Sequence, residues 1–220
     1  MCRFLLARSH QPLDSQSLLH EFATMCEHSR APDGGWQGDG WGVAWQGDHG
    51  WQVKKSLSPI WQEREMFFAI PPTKLLVVHA RSAGFPQHKG VIEFNQPYVG
   101  NDMCFVFNGM LRGVSVSLTL DGTIGAQKIF SFLLHEIVAK GGIETLRVLH
   151  TTIKAHARRI DGMNVGFVQG GRFFALCEYA DNEEYFSVRY HQDPRITLLC
   201  SAPLPGYAWK KMRKGEVMRL

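Results

Sequence analysis

Apolar and polar positions along the 220-residue chain fall into short runs of two periods. Residues 2–7 (CRFLLA) read as a short buried strand. Asp14 or Ser15 caps a helix to about residue 28, with Leu18, Leu19, Phe22, Met25 and Cys26 on one face. Residues 29–40 have the composition of a loop. Residues 41–46 and 51–55 predict a hairpin that turns through 47–50. Ser58-Pro59 opens a helix to about residue 70, with proline in the first turn. A buried strand at 74–79 leads into a polar loop that runs to Pro97. Another strand, 103–107, ends at Asn108-Gly109. Two helices follow, about 124–140 and 143–159, parted by Gly141-Gly142. Strands are expected at 164–169, 172–179, 185–191 and 196–201, with a short last one at 217–220.

The order is strands, a helix pair, then strands. It lacks the strand–helix alternation of a parallel doubly wound sheet. The pattern predicts an α+β class, with helices packed on mainly antiparallel sheets in one domain. No internal repeat, low-complexity stretch or linker divides it.

Composition narrows the picture. The chain is 45% hydrophobic with 14 Phe, 6 Trp and 5 Tyr, which excludes disorder as the main state. The net charge of +4 is spread out, and the one basic cluster, 210–214, is a weak nucleic-acid signal. No apolar run approaches the ~20 residues that span a bilayer, and the N-terminus has no secretory core. Five cysteines at 2, 26, 104, 177 and 200 form no CxxC pair. The expectation is a soluble cytoplasmic protein with free thiols, binding neither membrane nor nucleic acid.

Four features can carry chemistry. Removal of Met1 leaves Cys2 with a thiol and a free α-amine, a nucleophile and base in one residue; α-amines titrate near ~7.7–8.0. A buried structural cysteine is the competing account. Asn108-Gly109 offers an amide and a backbone N–H as oxyanion donors, or else a type I′ hairpin turn. His79-Ala80-Arg81 closes a strand, and Arg81 suits either a substrate carboxylate or a surface ion pair. Trp41, between Gly40 and Gly42, is a substrate wall or a core residue. His150 and His156, six apart, do not make a helical metal pair. Met25, Met66, Met103, Met110 and Met163 read as core filler, and Arg158-Arg159 as the basic end of a helix.

Together, Met-Cys-Arg at the start, DGWGVAW at 39–45, HARSA at 79–83, Asn95-x-Pro97-Tyr98 and FNGML at 107–111 resemble class II glutamine amidotransferases. These are Ntn hydrolases with an N-terminal cysteine. Ser201-Ala202-Pro203-Leu204, Trp209 and Gly215-Glu216-Val217 resemble the closing segment of stand-alone members, the YafJ-like and γ-glutamyl hydrolase subgroup. The resemblance spans residues 2–220 as one domain. It implies a four-layer αββα sandwich and no cofactor. It implies Cys2 as nucleophile, Asn108 and the Gly109 N–H as oxyanion hole, and Arg81 as carboxylate clamp. His79, Ser82 and Trp41 join Arg81 as implied substrate-binding residues. The substrate is then a γ-glutamyl amide, cleaved through a γ-glutamyl thioester. A separate ammonia-accepting synthase chain and a homo-oligomer are left open.

The sequence also departs from the family pattern. Phe107 stands where relatives have His, and Gln96-Pro97-Tyr98 omits another His. Gly84 and Ala202 replace a common Thr and Glu. Gly125 stands where relatives carry the Asp that holds the glutamine α-amine. An unpaired ammonium in a closed site is costly. The departures leave two outcomes: altered specificity for a larger or amine-blocked γ-glutamyl compound, or a catalytically silent binding or scaffolding protein; a nucleic-acid binder comes third, resting only on the basic pI and the 210–214 cluster.

Overall fold

The computed structural model describes residues 1–220. The elements are β1 (Arg3–Leu13), α1 (Ser15–His28), β2 (Trp41–Gly47), β3 (Gly50–Ser56), β4 (Thr73–Ala80), β5 (Tyr98–Gly100), β6 (Met103–Val114), α2 (Gly125–Lys140), α3 (Gly142–His156), β7 (Ala157–Gln169), β8 (Arg172–Cys177), α4 (Glu183–Phe186), β9 (Arg189–Gln192), β10 (Ile196–Cys200), β11 (Lys210–Lys211) and β12 (Glu216–Arg219). The strands form two antiparallel sheets, ordered β11-β9-β10-β1-β4-β2-β3 and β12-β8-β7-β6-β5.

Alternation along the strands builds three apolar layers. Leu5 and Ala7 of β1, with Leu76, Val78 and Ala80 of β4, pack against Leu18, Leu19 and Phe22 of α1. Phe4 and Leu6 face the other way and meet Val106, Phe173, Ala175 and Leu199 between the sheets. Phe105, Val165, Phe167 and Leu176 turn outward to Ile129, Leu133, Leu146 and Leu149 of α2 and α3. The result is the expected αββα sandwich. Asp14 caps α1 by accepting from the Ser17 N–H at 3.1 Å.

Several expected boundaries move. The segment after Ser58-Pro59 is not an α-helix but two 3₁₀ turns, Ile60–Gln62 and Arg64–Ala69. It buries Ile60 and Phe67 against α1, so tertiary packing sets its course. β6 does not end at Asn108-Gly109, because pairing with β7 continues to Val114. The dipeptide is thus mid-strand and not a hairpin turn. α3 stops at His156, and Arg158 and Arg159 lie in β7 instead of ending a helix. The strand expected at 185–191 begins as the single turn α4 and joins the sheet only at Arg189.

Gly42 fixes the approach of the loop before β5 to β2. A Cβ there would lie 2.4 Å from the Gln96 carbonyl oxygen. Both groups are backbone, so neither yields cheaply. Gly42→Ala is expected to destabilise the fold by ~1–3 kcal/mol, read as a lower urea midpoint.

Candidate active site

Strand register gathers the site. β1 runs antiparallel to β4 with Arg3 opposite Ala80, and β2 places Trp41 opposite the same Ala80. Cys2, Arg81-Ser82 and Asp39-Gly40 therefore emerge together at one end of the sheet. The Ser82 N–H donates to Cys2 Sγ at 3.4 Å, and Sγ lies 3.6 Å from the Ser82 carbonyl oxygen. The loop is held from both sides. Arg81 N–H donates to Gly40 O at 2.8 Å, and Asp39 N–H to Arg81 O at 3.0 Å. Asp39 Oδ2 accepts from the Ala83 N–H at 2.8 Å, while Lys89 Nζ sits 3.1 Å from Oδ1.

Arg3 locks the start of β1. Its buried guanidinium donates to Ser29 Oγ at 2.9 Å, Tyr185 O at 2.9 Å and Ser201 O at 2.7 Å. It also stacks 3.8 Å over the Tyr185 ring. Burial lowers its pKa, chiefly by desolvation. Carbonyl and hydroxyl oxygens supply the partners that a buried charge requires.

A cavity of about 140 Å³ opens beside Cys2. Arg81, Ser82, Gly109 and Gly125 line it, with Phe107 and Leu111 among its apolar walls. No Asp or Glu lines it. Arg81 is buried and donates to His88 O at 2.7 Å and Asn95 Oδ1 at 3.3 Å. Asn95 is itself fixed by donating to Ser56 O at 2.7 Å. Two bonds orient the guanidinium and leave further N–H groups for an anion.

The β6 pattern sets the donors. Phe107 N–H donates to Gln96 Oε1 at 2.5 Å, away from β7. Gly109 has the same parity. Its cross-strand partner Met163 donates instead to Glu178 O at 2.7 Å. Gly109 and Met163 are thus a non-hydrogen-bonded pair, and the Gly109 N–H faces the free edge of β6. A Cβ on Gly109 would sit 2.1 Å from Gly162 O, so only glycine fits. Asn108 turns to the opposite face, the inter-sheet layer that also holds Cys104 and Val106. It is fully buried, and neither its Nδ2 nor its Oδ1 has a partner. Buried amides without partners are rare in folded chains.

The other sequence-picked residues separate. Ser82 lines the cavity, but His79 and Trp41 do not. His79 is fully buried and its Nε2–H donates to Phe107 O at 3.2 Å, tying one sheet to the other. Trp41 is core: it faces α1, stacks edge-on to Phe67, and donates through Nε1 to Glu63 at 2.8 Å. Met110, read as core filler, instead borders the cavity. His88 is a structural part of the site that the sequence did not flag, and Gln96, met in the sequence only as a departure from the family motif, is another. The Met1 carbonyl accepts from Gln37 Nε2 and Tyr185 OH, each at 2.9 Å.

Cys2 is the one thiol that is not buried. Burial pushes Cys26 and Cys104 well above the ordinary thiol range, Cys177 to about 11 and Cys200 to about 12. No three His, Cys, Asp or Glu side chains gather as a metal-ligand set, and no helix is long and apolar enough to cross a membrane.

Scans of family models and of curated protein sequences return no match. Solved structures do match. A glutamine aminotransferase class-II domain protein from Silicibacter pomeroyi aligns with TM-score 0.65 and 16% identity, over 99% of this chain and 94% of that one. The glutamine PRPP amidotransferase of B. subtilis aligns with TM-score 0.66 and 11% identity. This chain is covered over 99% and spans 47% of that enzyme. A predicted glutamine amidotransferase from Pseudomonas aeruginosa aligns with TM-score 0.51 and 13% identity, over 99% and 96%.

The chain has the class II glutamine amidotransferase fold. In this version of that fold, His79 is a neutral cross-sheet tie. Burial, with the Arg81 and Lys55 charges, pushes its pKa from 6.5 to about 3 against the raising effect of the Phe107 carbonyl. The lowered folded value stabilises the protein above pH 6.5, and that stability is lost as pH falls toward 3. His79→Gln keeps a donor for Phe107 but removes the titration. Between pH 6.5 and 5, the pH slope of its unfolding free energy should be shallower than wild type, by ~0.7 kcal/mol per pH unit at the upper end and approaching ~1.4 at the lower, measured by urea titration at several pH values.

Proposed function

We propose that the chain is a cysteine-dependent hydrolase of γ-glutamyl amides. The observation that carries the reading is the buried, unpartnered amide of Asn108, next in sequence to a Gly109 N–H at the free edge of β6. Gly109 lines the cavity with Cys2 and Arg81, while Asn108 is fully buried beside it, outside the cavity lining. Donors kept free of protein partners suit a charge that appears only during reaction.

Removal of Met1 frees the Cys2 α-amine. The amine takes the thiol proton, and Sγ attacks the γ-carboxamide carbon. The oxyanion is held by Asn108 Nδ2–H and Gly109 N–H. The tetrahedral species collapses, the C–N bond breaks, and the leaving amine takes the proton back from the α-ammonium. A γ-glutamyl thioester remains. Water, deprotonated by the same α-amine, attacks it and releases the γ-carboxylate and the thiol. Arg81 holds the substrate α-carboxylate throughout. Ser82 fixes Sγ through its N–H. The released ammonia either leaves or passes to a separate synthase chain.

Met1-free protein should take a single carbamidomethyl group from iodoacetamide, mapped to Cys2 by peptide mass. The four buried thiols should remain unmodified without denaturant. Cys2→Ala should abolish γ-glutamyl amide hydrolysis with an unchanged circular dichroism spectrum. Asn108→Ala should lower kcat by about 10²–10³. Full activity in Cys2→Ala would refute the reading.

A further inference from the structure

The small cavity beside Cys2 adjoins a larger one. The second cavity, about 580 Å³, lies between α2, α3 and the end of β6, and shares Leu111 and Gly125 with the first. Its walls are mainly apolar, with Leu120, Ile129, Phe132 and Leu149 prominent. Lys128 is its one charged residue. Gly125 stands at the junction, and a Cβ built there meets no atom within 4 Å. The space beside the Gly125 Cα, where the two cavities adjoin, is open.

We infer that the substrate is a γ-glutamyl amide whose α-nitrogen carries an apolar acyl group, with the acyl chain lying in this second cavity. The inference rests on the hydrolase reading above. Charge argues for the blocked nitrogen. A free amino acid brings an ammonium, and the Cys2 cavity offers it no carboxylate. Arg81 adds positive charge, and the N-terminus of α2 adds the positive end of a helix dipole. An acylated nitrogen is neutral and brings a carbonyl oxygen instead. That oxygen suits the first turn of α2. Ile124 at the N-cap has no side-chain acceptor, and Gln127 Oε1 is occupied by the Thr123 and Ile124 N–H groups at 2.8 and 3.2 Å. The N–H groups of Gly125 and Ala126 have no intrahelical partner.

Size argues for the chain. About 140 Å³ beside Cys2 accommodates a γ-glutamyl unit and little more. The apolar cavity beyond Gly125 then takes a flexible hydrocarbon, which gains affinity with each methylene buried.

The test uses Met1-free protein and four compounds: L-glutamine, N-acetyl-L-glutamine, N-octanoyl-L-glutamine and γ-glutamyl-octylamide. Release of ammonia or octylamine gives kcat/KM. N-octanoyl-glutamine should exceed both glutamine and N-acetyl-glutamine by about tenfold or more. Thr152, half-buried on α3, lines the large cavity. Thr152→Trp should reduce the octanoyl-to-acetyl ratio to near one. Gly125→Asp supplies the missing carboxylate and should shift preference toward free glutamine.

Preference for glutamine, or for the octylamide, would overturn the inference. So would an octanoyl advantage that survives Thr152→Trp. Calorimetric binding to Cys2→Ala separates the two readings. Binding of N-octanoyl-glutamine that Thr152→Trp abolishes, without turnover of any compound by the wild type, keeps the acyl site and removes the hydrolase. Turnover of glutamine with no binding of N-octanoyl-glutamine does the reverse.

Discussion

A strand buried on both faces cannot slip by one residue without sending every side chain to the wrong layer. β1 is under that constraint along Arg3–Ala7. Phe4 and Leu6 belong to the layer between the sheets, while Leu5 and Ala7 belong to the layer under α1. β4 and β10 fix it on either edge. Arg3 adds a charge that only one position can satisfy, since its three acceptors come from Ser29, Tyr185 and Ser201. The location of Cys2 is the outcome of this register. A thiol at residue 2 of a frayed terminus would wander; here it is delivered to a fixed point beside Ser82.

The second sheet is aligned to the first by a few polar ties. His79 reaches from β4 to the Phe107 carbonyl, and the Gln96 amide pairs with the same residue through both its N–H and its C=O. Phe107 is thereby held on its open edge as a neighbouring strand would hold it. One residue pair further along, that edge is uncovered, which leaves the Gly109 N–H facing the cavity. Gly42 and Gly109 permit these approaches, because both meet backbone atoms at distances no Cβ tolerates.

Much of the fold was legible because alternation and capping act locally. The hairpin of β2 and β3, the Asp14 cap and the two helices all follow from neighbours in sequence. What was illegible depends on distant partners. Pro59 promises a helix, but the pull of Ile60 and Phe67 into the α1 layer breaks the segment into 3₁₀ turns. Asn-Gly signals a turn, yet a long partner strand in β7 carries β6 straight through it. At the site, Cys2, Arg81, Ser82 and Gly109 were legible and share one cavity. Trp41 looked the same between its two glycines, but strand parity sends it to the opposite face. Gln96 acts through a contact eleven residues away, which no local pattern encodes.

The pairing of β1 with β10 also orders events in time. β1 is synthesised before every other strand of the sandwich, whereas residues 196–200 follow almost the whole of it. One edge of β1 must stay open until β10 has left the ribosome, and contacts so distant in sequence form slowly. During that interval the Arg3 acceptors at Tyr185 and Ser201 do not yet exist. β1 is then only partly anchored. Residue 2 is thus carried on the strand whose enclosure is completed late.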